Sequence, residues 1–381
     1  MSNPFQYGAE LKPSQLVNRK LEIRDVSRAL LEHGRLFLLG PRRHGKTAIL
    51  NAACAVAQRQ EAIILSLNAE SYTGLDDLVR ALIAEAARLL KSDVAKTGEK
   101  ILAFFSHLRP VIAFNPATHE WSATINVDGR GGGDQVPLFI QALDGVARLA
   151  KHVDKPVAIV IDEFQKVIEW GGQTAEGQIR SAIQRHGDVG FVFAGSKTSL
   201  LNDMTLNPAR PFYRMGIRHF LGPLPREEFR QYITKGFQFA GYKVDPKAVE
   251  DILDVSEDVP YNVQALSSVA WDMLRDRDAS SLTPATVQLA LELLVSRDGP
   301  FYVTLWNSLT TVQKRVLRAV IEEKGFELTS RAAVARHGVA VSTVSKTLRL
   351  LEEREILRRE EREDSVRWRL EDPFLAAWLS R

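Results

Sequence analysis

Residues Gly40-Pro41-Arg42-Arg43-His44-Gly45-Lys46-Thr47 fit the spacing G-x-x-x-x-G-K-[ST]. A glycine-containing loop of this kind turns successive backbone N–H groups inward, and the helix N-terminus behind it adds partial positive charge, so it suits the cradling of phosphates. In that arrangement Lys46 reaches the terminal phosphates and the Thr47 hydroxyl ligates magnesium. Gly40, Pro41, Gly45 and Ala48 complete the candidate cradle. Arg42, Arg43 and His44 occupy its variable part, either as phosphate contacts or as plain surface residues. The run Val157-Ala158-Ile159-Val160-Ile161-Asp162-Glu163 ends an apolar strand pattern in two carboxylates. Asp162 would hold magnesium, directly or through a water, and Glu163 would orient and polarise an attacking water. Alone, an Asp-Glu pair there would equally cap a helix; beside the lysine loop it reads as the other half of a nucleoside-triphosphate site. Phe193-Ala194-Gly195-Ser196 puts Ser196 at a strand tip, to sense a γ-phosphate or position water, or simply to start a helix.

These groups need a scaffold that delivers them to one edge. Arg35-Leu36-Phe37-Leu38-Leu39, Ala62-Ile63-Ile64-Leu65-Ser66-Leu67, 157–161 and Phe191-Val192-Phe193-Ala194 lack alternation, as strands covered on both faces do. Helical patterns over 47–57, 75–90 and 136–150 follow or separate them, which predicts an α/β fold with a parallel P-loop sheet. Residues 111–114 and 121–127 flank Asn115-Pro116-Ala117-Thr118-His119-Glu120 as an inserted β-hairpin, with Gly129-Arg130-Gly131-Gly132-Gly133 as a flexible return. After Gly222-Pro223-Leu224-Pro225 the apolar spacing becomes helical to residue 294, with Pro284 opening a late helix. The expected domains are a core at 1–222, a small all-α lid at 223–298 and a third unit at 299–381.

That third unit has the order of a winged helix-turn-helix. A helix with a threonine cap, beginning in Leu309-Thr310-Thr311, precedes a short helix at 330–337, a turn, a longer helix at 342–353 and a hairpin-like wing ending in Val366-Arg367-Trp368-Arg369-Leu370. Thr343, Lys346 and Arg349 give the longer helix the polar and basic face that enters a DNA major groove. Against this, acids and bases interleave from 352 to 364. Duplex affinity comes largely from basic groups at phosphates, so packing on the core or on another protein is the competing reading.

Composition narrows the classes. The chain has 381 residues, a net charge of +3 and a single cysteine, Cys54. An intramolecular disulfide is excluded, a cysteine zinc site disfavoured, and any nucleic-acid role must come from a local patch. Neither a membrane span nor a secretory signal is legible, so the expected location is cytoplasmic.

In this order the motifs resemble the archaeal-type ATPase family, a branch of the AAA+/STAND P-loop ATPases. Phe5-Gln6-Tyr7-Gly8 and Leu16-Val17-Asn18-Arg19-Lys20-Leu21-Glu22 are similar to its leading segment, which implies that Asn18 and Arg19 border the adenine. Pro41–Thr47 is similar to its "PRRxGKT" loop, Asp162-Glu163-Phe164-Gln165 to its "DEFQ", and Gly195-Ser196-Lys197 to its sensor strand. Pro211-Phe212-Tyr213-Arg214 matches "PFYR", and Asp372-Pro373-Phe374-Leu375-Ala376-Ala377-Trp378-Leu379 its closing element. The lid motif departs: Glu257-Asp258-Val259-Pro260-Tyr261 stands where the family has Gly-Gly-His-Pro-Tyr, keeping Pro260 as a cofactor-side candidate but losing both glycines. No arginine is evident beside it; Arg180, Arg185 and Arg214 are candidates to sense the γ-phosphate, and the motif match favours Arg214. The resemblance implies a slow Mg²⁺-dependent ATPase switch, with ATP bound between core and lid and its state passed to the winged helix. Implied partners are ATP or ADP, double-stranded DNA, and a second copy or another protein, with no membrane. The alternatives are a DNA-binding regulator or a protein-interaction scaffold in which nucleotide is a structural ligand.

Overall fold

The computed structural model describes residues 2–8, 16–90, 94–125, 135–196, 198–222, 224–362 and 365–380. The chain divides into two compact units: Leu11–Gly222, and Met1–Glu10 together with Pro223–Arg381. The expected core at 1–222 therefore differs at its start. Phe5 is buried in the second unit against Tyr232 and Phe237, and the Asn3 amide donates to the Ser268 hydroxyl at 2.9 Å.

The first unit begins α1 (Lys20–Leu31), β1 (Arg35–Leu39), α2 (Lys46–Arg59), β2 (Ile63–Asn68), α3 (Leu75–Leu89) and α4 (Val94–Phe104). A hairpin of β3 (Val111–Asn115) and β4 (Glu120–Thr124) follows, then α5 (Val136–His152) and β5 (Val157–Asp162). It closes with α6 (Gln165–Arg185), β6 (Val189–Gly195), α7 (Thr198–Leu206) and β7 (Ile217–Phe220). Five strands form one sheet in the order β2-β5-β6-β1-β7, with every neighbouring pair parallel. Every residue of β5 and β6 is buried, which is why their sequences run apolar without alternation. On one face Leu78, Phe139 and Ile179 of α3, α5 and α6 pack against the sheet; on the other Val26 and Ile49 of α1 and α2 do. β2 departs from the expectation: it is an edge strand, and Ser66 is exposed. Residues 126–127 of the expected hairpin and its 129–133 return lie outside the described residues.

The second unit holds α8 (Arg226–Phe239), α9 (Pro246–Ser256), α10 (Pro260–Asp276) and α11 (Pro284–Arg297), with β8 (Lys243–Val244) paired to β9 (Ser281–Leu282). A proline opens three of these helices, where a missing N–H costs nothing. The chain continues through α12 (Gly299–Asn307), α13 (Thr311–Glu322), α14 (Arg331–His337) and α15 (Val341–Glu353). The wing hairpin of β10 (Leu357–Arg362) and β11 (Ser365–Leu370) and a short α16 (Phe374–Leu379) complete it. Thr310 caps α13 in a reciprocal capping box with Gln313. Among the described residues no helix is long and apolar enough to cross a membrane.

Candidate nucleotide site

Parallel register brings the candidate groups to one edge. Leu39 pairs with Gly195, and Ile161 with Phe193, so the loop after β1 and the ends of β5 and β6 leave the sheet together. Ligands of open α/β sheets bind at such carboxyl ends. Gly45 starts α2 in the left-handed region at φ 88°, which glycine adopts without steric cost. Gly40 is needed for a different reason: a Cβ there would lie 2.8 Å from Leu221 Cβ and 3.0 Å from the Leu221 carbonyl oxygen. Gly40→Ala is therefore expected to destabilise the protein by about 1–3 kcal/mol, the usual cost of overpacking. A denaturant midpoint equal to wild type would contradict that close approach.

Lys46 is buried, and its ammonium donates to the carbonyls of Gly40 and Pro41, each at 2.9 Å. Thr47 Oγ1 donates to Asp162 Oδ2 at 2.6 Å, across 115 residues of sequence. The lysine loop and the acidic strand end thus meet. Asp162 is buried, which pushes its carboxyl above the usual 3.8; the Thr47 hydrogen bond opposes that shift and the Glu163 charge adds to it. A hydroxyl and a carboxylate in contact are hard oxygen donors, a set that fits magnesium carried in with phosphates.

Glu163 has φ 53°, and its backbone N–H donates to Asp162 Oδ1 at 2.9 Å. Its Oε2 accepts from Ser196 Oγ at 2.8 Å and also from Gln165 Nε2. The structure thereby brings Ser196 to Glu163. Lys197 lies outside the described residues. His44 is buried with Nδ1 2.9 Å from the Arg42 carbonyl, whereas Arg42 is exposed and reaches Glu70 at 3.4 Å. Arg43 is exposed with φ 67°, and Ala48 is buried in α2. Asn18 has φ 38°; the buried Arg19 bridges Glu22 at 2.8 Å and the Gly222 carbonyl at 3.0 Å.

Arg214 is exposed, with its guanidinium over the Tyr213 ring. What the structure does connect is the segment before it. Phe212 packs edge-on to Phe164 and Phe37, and Arg210 forms an ion pair with Glu176, which is 1% exposed. Sequence reading missed Glu176 and Arg210 because they sit 34 residues apart in ordinary helix and loop contexts. Arg185 lies 3.7 Å from Asp144, and Arg180 Nε is buried without a hydrogen-bond partner among the described residues.

In the second unit Pro260 is the first residue of α10, after Glu257 and Asp258, both with positive φ (50° and 56°). The left-handed turn therefore survives the loss of both glycines. Ion pairs hold it: Glu257 binds Arg369 at 2.8 Å and Arg358 at 3.2 Å, and Asp258 binds Arg226 at 3.3 Å. Arg226 is thus an arginine beside the motif that local sequence did not reveal. Thr343, Lys346 and Arg349 are exposed on α15, while Val344, Thr347, Leu348 and Leu351 bury its other face. Two wing arginines, Arg358 and Arg369, are engaged by Glu257 and Glu360.

Residues 300–381 match the family model described as "Probable winged helix domain". The whole chain is similar in fold to the Walker-type ATPase of Pyrococcus abyssi, at 16% identity over 99% of this chain and 100% of that one, TM-score 0.64. It also resembles the Aeropyrum pernix ORC2 protein in its ADPNP–ADP complexes, at 14% identity over 100% and 98%, TM-score 0.55. The Aeropyrum pernix ORC1 protein in complex with DNA aligns at 16% identity over 97% and 94%, TM-score 0.50. No curated protein matches the sequence. The fold is that of a P-loop ATPase with a C-terminal winged helix, as the archaeal-type ATPase resemblance implies.

Proposed function

We propose that the protein is a slow Mg²⁺-dependent ATPase whose nucleotide state governs DNA binding by its winged helix. The observation that carries the reading is the Thr47–Asp162 contact at 2.6 Å beside the buried Lys46. Backbone N–H groups from Arg43 to Thr47 would bind phosphate oxygens, and Lys46 would exchange its two carbonyl partners for the β- and γ-phosphates. Magnesium, held by Thr47 and Asp162 with the phosphates, would neutralise charge on the triphosphate. Glu163 would orient the attacking water, and Ser196 would touch the γ-phosphate. Asn18 and Arg19 are assigned to the adenine side, Pro260 to the lid at 223–298, and Arg214 to state sensing. Phosphate release from MgATP, with and without duplex DNA, tests this. A Glu163→Gln rate equal to wild type would remove the enzyme assignment.

DNA contact is supported by the exposed polar and basic face of α15 and by the fold shared with an ORC1 protein solved on DNA. Replacing Lys346 and Arg349 together by Glu should weaken duplex binding at least ~10-fold. Two lost phosphate contacts should flatten the logarithmic salt dependence by about 1.8. Anisotropy titrations at several salt concentrations measure both; unchanged slope and affinity would leave the winged helix as a protein-docking module. The regulator reading, with nucleotide as a structural ligand, is favoured if ADP co-purifies and Glu163→Gln keeps full DNA affinity in every nucleotide state.

A further inference from the structure

One oxygen of the carboxylate assigned to activate water is already fully engaged. Glu163 Oε2 accepts from Ser196 Oγ at 2.8 Å, from the Ser196 backbone N–H at 3.3 Å and from Gln165 Nε2. A carboxylate oxygen presents two lone pairs, so three donors saturate it. The left-handed backbone at Glu163 bends the side chain off the line of β5 and onto the tip of β6. The backbone turn carries a cost. A non-glycine residue in this region is strained, and such strain persists only where surrounding structure enforces it.

Gln165 supplies the enforcement. The residue is 2% exposed, and its Oε1 has no hydrogen-bond partner among the described residues. A buried amide oxygen left unpaired is unfavourable, and what the amide makes in return is the hydrogen bond from its Nε2 to Glu163. The neighbouring Gly195 leaves room for it, since a Cβ there would collide with Gln165 Oε1. Phe164, wedged between Phe193 and Phe212, fixes the backbone from which Gln165 starts.

We propose that Gln165 is a positioning residue that parks Glu163 against Ser196 and so holds turnover down; this rests on the ATPase reading above. The Ser196 hydroxyl has one hydrogen, which it can give to Glu163 or to a phosphate oxygen but not to both. An arriving γ-phosphate that takes this hydrogen removes one restraint and leaves the Gln165 amide as the remaining side-chain restraint. Turnover then depends on how readily Gln165 lets go.

Gln165→Met keeps the side chain's length and removes the donor. Steady-state turnover is expected to rise about 10-fold, equivalent to about 1.4 kcal/mol, with KM and the Kd of a non-hydrolysable ATP analogue within twofold of wild type. Adding Glu163→Gln to Gln165→Met should return the rate to that of Glu163→Gln alone, which shows that the gain runs through Glu163. Gln165→Ala repeats the test if the Met variant melts early. If wild type binds no ATP analogue, the nucleotide-site reading falls and takes this proposal with it. If wild type binds and hydrolyses ATP while both Gln165 variants turn over at or below its rate, the parking role is overturned and the ATPase reading stands.

Discussion

Lys46→Ala is expected to raise the Kd for MgATP at least ~100-fold. In the structure Lys46 is 5% exposed and its ammonium is shared between two carbonyls. Those partners already hold it in place, so little side-chain entropy remains to be lost when phosphates arrive. A hydrogen bond to a charged partner contributes about 1.5–3 kcal/mol. Two such bonds to phosphate oxygens therefore amount to about 3–6 kcal/mol, and 1.4 kcal/mol is tenfold in affinity. The apo fold should tolerate the change, because alanine is the strongest helix former for the start of α2. Isothermal titration with MgATP, alongside far-UV circular dichroism, measures both effects. Affinity retained within threefold in a folded variant would show that this loop does not carry the phosphates.

How much of this arrangement is legible in the chain depends on the distance over which each contact acts. The lysine loop is legible because Gly45, Lys46 and Thr47 are adjacent and their chemistry fixes both the turn and the helix that follows. The buried strands are legible because β5 and β6 are covered on both faces and so cannot alternate. The threonine cap of α13 is equally local, since Thr310 and Gln313 lie within four residues. What sequence could not supply were partners chosen by the fold. Glu176 meets Arg210, and Glu257 meets Arg358 and Arg369 across about a hundred residues, and nothing in the local pattern of any of them differs from a solvated charge. Gln165 was visible only as the fourth letter of a motif; its work on Glu163 follows from the left-handed turn at Glu163, which no propensity announces. The turn before α10 makes the same point in reverse. Its glycines are gone, yet the backbone they would have allowed is kept, because arginines from β10, β11 and α8 hold the two acids that replaced them.

Asp162→Asn should separate stability from function in opposite directions. Burial holds the folded carboxyl above its usual 3.8, against the pull of the Thr47 hydrogen bond and with the push of the Glu163 charge. A group whose folded value lies above its unfolded one favours folding when protonated. That contribution is complete below pH 3.8 and is lost as pH rises through the raised folded value, so at neutral pH the metal-free protein carries an ionised carboxylate at a cost. Asparagine removes the charge and can keep both contacts: its oxygen accepts from the Glu163 N–H, and its amide donates to Thr47 Oγ1. Relief of a functional-site cost of this kind is typically about 0.5–2 kcal/mol. The metal-free variant is therefore expected to melt about 1–5 °C above wild type at pH 7, with the gap closing as pH falls toward 4. In MgATP the order should invert, since ligand binding stabilises only a protein that can hold the ligand and its metal. Thermal scans across pH, with and without MgATP, decide the matter. A variant that melts below wild type without nucleotide, or that gains as much from MgATP as wild type does, would show that Asp162 is a structural cap and not the metal-side carboxylate.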